Sequence, residues 1–297
     1  MRHGAPARRG GLVLGLLLAS AGWAEAGPVR DMVGRAVSVP ERPARVISLA
    51  PSLTETIFAL GAAERLIGVT RYCDFPDEAR AKARVGGVAD PNFEVILSLR
   101  PDLVLATTEG NRLEDVRALE RLEIPVYVVR PLDFASVLDS IGRVGELLGR
   151  RDAARQLVAE MRRGAAAVAQ ALEGAARRRV LYVLWGRPLI VPGRDTLITD
   201  LIGRAGGDSV SAGEPLAYPR FSVEEAVARQ PDLVVVAQHA TASLAGGLRA
   251  WPQLGLLPAV REGRVYRIDG DLTHRPGPRI LEGLRTLARL IHPGIVW

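Results

Sequence analysis

A proline-free stretch from Asp152 to Leu172, with apolar or small residues at helical intervals, separates two regions of a different texture. Before it, short apolar runs at Val46–Leu49, Leu66–Val69, Leu103–Ala106 and Val126–Val129 read as strands. Thr54–Leu60, Phe93–Leu99 and Leu113–Leu122 read as the helices between them. Ser136–Leu148 is helical, and the long stretch follows. The alternation then restarts, with strands at Val180–Trp185, Leu233–Ala237 and Val265–Ile268 and helices at Thr196–Ala205, Val223–Arg229 and Arg279–Ile291. Apolar strands separated by helices of this kind build parallel sheets covered by helices. Twenty-one helical residues make a rod of roughly 30 Å, about the diameter of one domain. No Gly-, Pro- or Ser-rich linker divides the two regions. The chain is therefore expected to be α/β. An N-terminal lobe spans residues 27–135, a bridging helical segment 136–176 and a C-terminal lobe 177–297. The lobes are independent halves held at fixed spacing by one long rigid helix on an exposed flank.

The first 26 residues stand apart. Arg2, Arg8 and Arg9 precede the apolar run Leu12–Ala19, which is too short to span a bilayer, and Ala24-Glu25-Ala26 has the small-x-small form of a cleavage site. Residues 1–26 thus read as a cleavable signal peptide. No cysteine follows the cut, which closes the lipid-anchoring route and leaves a soluble exported chain. Its removal takes away three arginines and one glutamate, so the formal charge falls from +6 to +4. Lys82 is the sole lysine, and no basic run is interleaved with aromatics, which argues against nucleic acid. Arg177–Arg179 reads as a helix C-terminus. Cys73 is the only cysteine, excluding an intramolecular disulfide, and is taken as a packed small residue. There is no nucleophile elbow, Walker loop, His-Glu-x-x-His or dinucleotide glycine fingerprint, so an enzyme is not expected.

One phrase occurs twice. Phe93-Glu-Val-Ile-Leu-Ser-Leu-Arg-Pro-Asp-Leu-Val and Val223-Glu-Glu-Ala-Val-Ala-Arg-Gln-Pro-Asp-Leu-Val each place a glutamate seven residues before a proline: Glu94 before Pro101, and Glu224 before Pro231. Asn92 and Ser222 suit N-cap positions, putting both glutamates in a first helical turn, and Pro-Asp then ends each helix and opens a strand. Complementing the helix dipole is worth ~0.3–1 kcal/mol and explains an acid there. It does not explain an identical offset in both halves.

These residues resemble the periplasmic substrate-binding proteins of ABC importers for cobalamin, haem and ferric siderophores. The likeness runs through Asp31–Pro40, Arg45–Glu55, Gly68–Pro76, both Pro-Asp-Leu-Val units and Pro278-Arg279-Ile280. Gly68-Val-Thr-Arg-Tyr-Cys-Asp-Phe-Pro76 is most similar to the cobalamin-binding branch. The resemblance implies two Rossmann-like lobes joined by one long helix and a ligand in the cleft between them. It also implies periplasmic location, no resident cofactor and no catalysis. Its partners are a permease dimer with ATPase subunits, the chain itself being monomeric and meeting the membrane only through the permease. Glu94 and Glu224 take the places of the two glutamates that dock on permease arginines.

In such a fold the ligand meets loops that follow strands. A corrinoid, a flat partly apolar disc fringed with amides, suits aromatic faces and a few polar groups. The candidates are Pro51, Ser52, Tyr72, Thr107, Trp185, Tyr218, His274 and Arg275. No metal site is expected. His274 or Tyr72 as an axial ligand to cobalt or haem iron is the alternative to an ordinary rim role. Arg71, Arg187 and Arg275 suit haem propionates or siderophore anions, or are solvated loop charges. Val88 and Thr107 stand where the cobalamin-binding branch carries tryptophans, which leaves room for another corrinoid, haem or a siderophore. His239 and Trp251 are read as loop residues outside the site.

Overall fold

The computed structural model describes residues 1, 28–186, 188–238 and 255–295. The expected signal peptide after Met1, Arg187, His239 and Trp251 lie outside the described residues. A short antiparallel pair, β1 (Val29–Arg30) and β2 (Ala36–Val37), leads into the first lobe. There β3 (Val46–Ser48), β4 (Leu66–Val69), β5 (Ala83–Arg84), β6 (Leu103–Thr107) and β7 (Val126–Val129) form a sheet in the order β5-β4-β3-β6-β7, every pairing parallel. Helices α1 (Pro51–Ala59), α2 (Phe93–Ser98) and α3 (Leu113–Arg121) connect these strands. Then come α4 (Phe134–Leu147) and the long α5 (Arg151–Ala171).

The second lobe repeats the plan. Strands β8 (Arg178–Val183), β9 (Gly207–Ser209), β10 (Leu233–Gln238) and β11 (Val265–Asp269) pair in parallel in the order β11-β10-β8-β9. Its helices are α6 (Leu197–Arg204), α7 (Val223–Ala228), α8 (Pro258–Arg261), α9 (Asp271–His274) and α10 (Ile280–Ile291). The expected α/β architecture is present, with two corrections of detail. Arg178 and Arg179 open β8 rather than ending a helix, and Arg177 Nε donates to Asp208 Oδ1 at 2.7 Å beside the edge strand. Pro51 and Ser52 are not loop residues. Pro51 is the first residue of α1, where its fixed φ suits the helix and a missing N–H costs nothing.

The lobes are less independent than the sequence suggests. One continuous apolar cluster runs from Val46 and Ile57, through Ile141 of α4 and Met161 of α5, to Leu201 of α6, Leu284 of α10 and Tyr182 of β8. Each sheet therefore buries one face against a shared helical layer. Its other face has a private core: Ile47, Val104, Ile96 and Leu119 in the first lobe, and Leu181, Val234, Ala226 and Leu257 in the second. The long helix is amphipathic, with Ala154, Met161, Gly164 and Val168 buried and its arginines on the outer side. It lies close to its neighbours. A Cβ on Gly145 of α4 would stand 2.3 Å from the Ala154 Cβ, so glycine is required at that crossing.

The duplicated phrase has a structural counterpart. Asn92 and Ser222 accept from the backbone N–H of Val95 and Glu225 and start six-residue helices. Each helix ends at a residue with φ of 46°, Arg100 or Gln230, immediately before the proline. The following aspartate then holds the start of the neighbouring strand. Asp102 accepts from the Ala44 and Arg45 N–H groups at 2.7 and 2.9 Å, and Asp232 accepts from Arg179 N–H at 2.7 Å. Each bond to a charged acceptor contributes about 1.5–3 kcal/mol when well sheltered and less in the exposed setting here. Asp102→Ala should therefore lower unfolding free energy by about 1–2 kcal/mol in urea titration, and Asp232→Ala by a smaller amount.

Candidate functional site

All nine strands of the two sheets run in parallel within their sheet, so the C-terminal edge of each lobe gathers the loops after β3, β4 and β6, and those after β8 and β9. Three aromatic rings on these loops are about half exposed: Tyr72 at 48%, Trp185 at 50% and Tyr218 at 43%. Trp185 sits on a tight turn whose backbone pairs with Ile190, and Ile190 bridges in turn to Arg220 beside Tyr218. The two edges face each other. Tyr218 Oη of the second lobe donates to Glu109 Oε2 of the first at 3.4 Å.

The Glu109 loop is held firmly. Asn111 donates through Nδ2 to the carbonyls of Leu49 and Val88 at 3.0 and 2.7 Å, and its Oδ1 accepts the Thr107 N–H at 2.8 Å. Gly110 has φ of 115°, a conformation open to glycine, and a Cβ there would also meet Val88. Thr107 is nearly fully buried, and its Oγ1 accepts the Glu109 N–H at 3.2 Å, so it shapes the loop and shows almost no surface to the gap. Burial pushes the Glu109 carboxyl up, and the Tyr218 hydrogen bond pulls it part of the way back.

Behind the gap, the lobes are tied by charge. Glu55 on α1 is 3% exposed, and its two oxygens receive Arg279 Nε and Nη2 at 2.9 and 2.7 Å. Arg275 Nη1 donates to Asp74 Oδ1 at 2.6 Å and reaches Glu55 Oε1 at 3.4 Å, while its Nη2 meets Asp271 at 2.8 Å. Phe75 lies under the Arg279 guanidinium at 4.2 Å. Two arginines of one lobe are thus shared among three carboxylates, two of them from the other lobe. Glu55's hydrogen bonds hold the Arg279 guanidinium more firmly protonated. Burial alone would raise the Asp74 carboxyl, but its hydrogen bond from Arg275 and that residue's charge bring it below the ordinary aspartate value. Close by, a Cβ on Gly277 would stand 3.0 Å from the Ser52 carbonyl, so residues 275–279 lie directly on the start of α1.

This places the expected site residues unevenly. Tyr72, Trp185 and Tyr218 line the facing edges. Pro51 is partly exposed, whereas Ser52 is 4% exposed beneath Gly277. Arg275 is engaged by carboxylates, and Arg71 is paired with Asp90 at 2.5 Å while lying over the Tyr72 ring. His274 turns Nε2 to the buried Tyr182 hydroxyl at 3.1 Å, which also bonds Thr273 at 2.7 Å. Among the described residues no group of three or more His, Cys, Asp or Glu side chains is placed to hold a metal ion. Cys73 is buried, and its thiol is pushed up by burial. Glu94 and Glu224 are exposed on α2 and α7, and neither forms an ion pair among the described residues. Glu225, next along α7, is tied to Arg229 at 3.5 Å. Sequence reasoning missed Glu55, Asp74 and Asn111. An acid within the otherwise apolar Thr-Ile-Phe-Ala-Leu helix was the available signal for Glu55.

A family model for periplasmic binding proteins matches residues 46–272. The chain belongs to the periplasmic binding protein family. It is 28% identical over 241 residues to a vitamin B12-binding protein of Vibrio parahaemolyticus, which covers 81% of this chain and 86% of the relative. Among solved structures, the periplasmic vitamin B12 binding protein BtuF of Vibrio cholerae superposes with a TM-score of 0.77 at 25% identity, covering 86% of this chain and 98% of that one. The periplasmic heme-binding protein BhuT, in complex with two hemes, gives a TM-score of 0.76 at 32% identity, covering 84% and 98%. Like these relatives, this periplasmic binding protein is a carrier of the ABC-importer class and not an enzyme.

The buried ion cluster is testable in the family member at hand. Removing one partner of a buried pair costs about 3–5 kcal/mol, so Glu55→Ala should lower the urea midpoint strongly. Asp74 is depressed in the folded state, so its stabilisation is present above the ordinary aspartate value of about 3.9. It is lost as pH falls through the folded value, because the unfolded chain takes up the proton first. Thermal melts between pH 6 and 3 should fall less steeply for Asp74→Asn than for the parent. Asp271, raised mainly by burial and in part by the Asp74 charge, acts with the opposite sign, and its smaller contribution in Asp74→Asn narrows the difference between the two proteins.

Proposed function

We propose that this chain is an exported periplasmic carrier that captures cobalamin or a related corrinoid between its lobes and delivers it to an ABC permease. The observation that carries this is the composition of the facing edges. They combine three half-exposed aromatic rings with arginines already neutralised by carboxylates. A flat ring with an uncharged amide rim matches aromatic faces and has no need of free cations. The Vibrio relatives named for vitamin B12 support the same ligand.

Haem is the second reading. It is favoured by the higher identity to BhuT, 32%, than to the Vibrio cholerae protein, 25%. Calorimetric titration of the purified protein with cyanocobalamin, hemin and a ferric siderophore decides between them. Cyanocobalamin should bind and quench fluorescence, with the quench greatly reduced in Trp185→Phe. Saturable hemin binding without any response to cyanocobalamin would replace the first reading by the second.

Docking follows from the repeated phrase. Two exposed carboxylates at matching positions on lobes with a shared core present a fixed pair of charges to a two-fold permease. Charge-assisted pairs with arginine would orient the carrier as well as attract it. The double variant Glu94→Ala, Glu224→Ala should keep its ligand affinity within about twofold while losing stimulation of ATP hydrolysis by the reconstituted transporter. Unchanged stimulation would remove the docking assignment.

A further inference from the structure

We propose that Glu109 is a specificity-determining residue of the interlobe gap, accepting hydrogen bonds from a ligand rim that carries N–H donors and rejecting a rim that carries carboxylates. The inference rests on the reading of the gap as the ligand site and adds the group that discriminates within it.

Four observations carry it. Glu109 belongs to the first lobe, yet its carboxylate meets Tyr218 Oη of the second at 3.4 Å, so it projects into the space that separates them. It has no ion-pair partner among the described residues, unlike Arg71 and Arg275, whose charges are already matched. Arg130 acts on it only through space. Finally, its backbone is held by the Asn111 clamp and by the Gly110 turn, which root the side chain at the gap, and the bond from Tyr218 directs the carboxylate. A carboxylate rooted at this place in a partly desolvated gap has a definite chemical preference. It gains from amide N–H or hydroxyl donors, which can take over the bond now supplied by Tyr218. It is opposed by any carboxylate brought to the same place, since two like charges then meet in a partly desolvated gap unless one of them takes up a proton. Such exclusion by an unmatched charge is an economical way to separate ligands with similar flat cores. Tyr218 is the positioning residue: it holds the carboxylate in line when no ligand is present.

The test keeps the ring constant and changes only the rim. Dicyanocobinamide carries amides, and dicyanocobyrinic acid carries carboxylates on the same corrin. The parent protein should bind the amide form at least about tenfold more tightly, as expected when one site is built for donors and the other ligand is repelled. Glu109→Gln, which keeps the shape and an acceptor oxygen, should shrink that ratio by about tenfold, mainly by strengthening the carboxylate ligand. Tyr218→Phe should change the ratio by less than about threefold. Circular dichroism and melting of each variant confirm that it is folded. An unchanged ratio in Glu109→Gln, with both ligands still bound, overturns the proposal. If the parent ignores both corrinoids and binds hemin, the ligand reading fails by itself. Glu109 is then judged on hemin against its dimethyl ester, with the ester expected to be preferred in the parent and the preference lost in Glu109→Gln. Binding of none of the four overturns both.

Discussion

The burial of two sheet faces against one helical layer governs the rest of this structure. Val46 and Ile57 on one side, and Tyr182 and Leu284 on the other, reach the same cluster through Ile141, Met161 and Leu201. Because α4 crosses α5 closely enough to demand glycine at position 145, the layer has little freedom to slide. The C-terminal edges of the sheets are carried by that layer and inherit its rigidity. The gap between them is therefore a largely preformed feature.

Electrostatics refine what packing sets up. Asp200 on α6 accepts the Phe134 N–H at 2.9 Å and Arg204 Nε at 2.7 Å, joining the second lobe to the start of α4. The cluster of Glu55, Asp74, Asp271, Arg275 and Arg279 joins the lobes behind the gap. A charge taken out of water is tolerated only when matched, and here the matching uses arginines that would otherwise attract anionic ligands.

Much of the fold was legible because burial leaves a periodic trace. The strands at Val46, Leu66, Leu103, Val126, Val180 and Leu233 are buried on both faces, and the helix over Arg151–Ala171 lacks proline throughout. The edge strands Ala83–Arg84 and Gly207–Ser209 left no such trace, being too short for any period to show. The repeated Pro-Asp was recognised as punctuation, but the service of Asp102 and Asp232 to a neighbouring strand is a contact between distant segments, beyond local pattern. The same holds at the site. Exposed aromatics on loops could be anticipated from where strands end, whereas Arg275 looked like a free cation because its partners Glu55 and Asp74 lie two hundred residues away in sequence. Ser52 and Thr107 lie near strand ends but are buried, and whether a small hydroxyl faces outward is settled by what packs over it.

A common core has a consequence for how the molecule comes apart. Splitting the chain after α5 would leave either fragment with a broad apolar stripe from which its counterpart had been stripped, and neither piece would be a soluble half-protein. Heat should find the same unity, melting both lobes in one cooperative event rather than two. Any force that parts the lobes must work against the whole molecule at once.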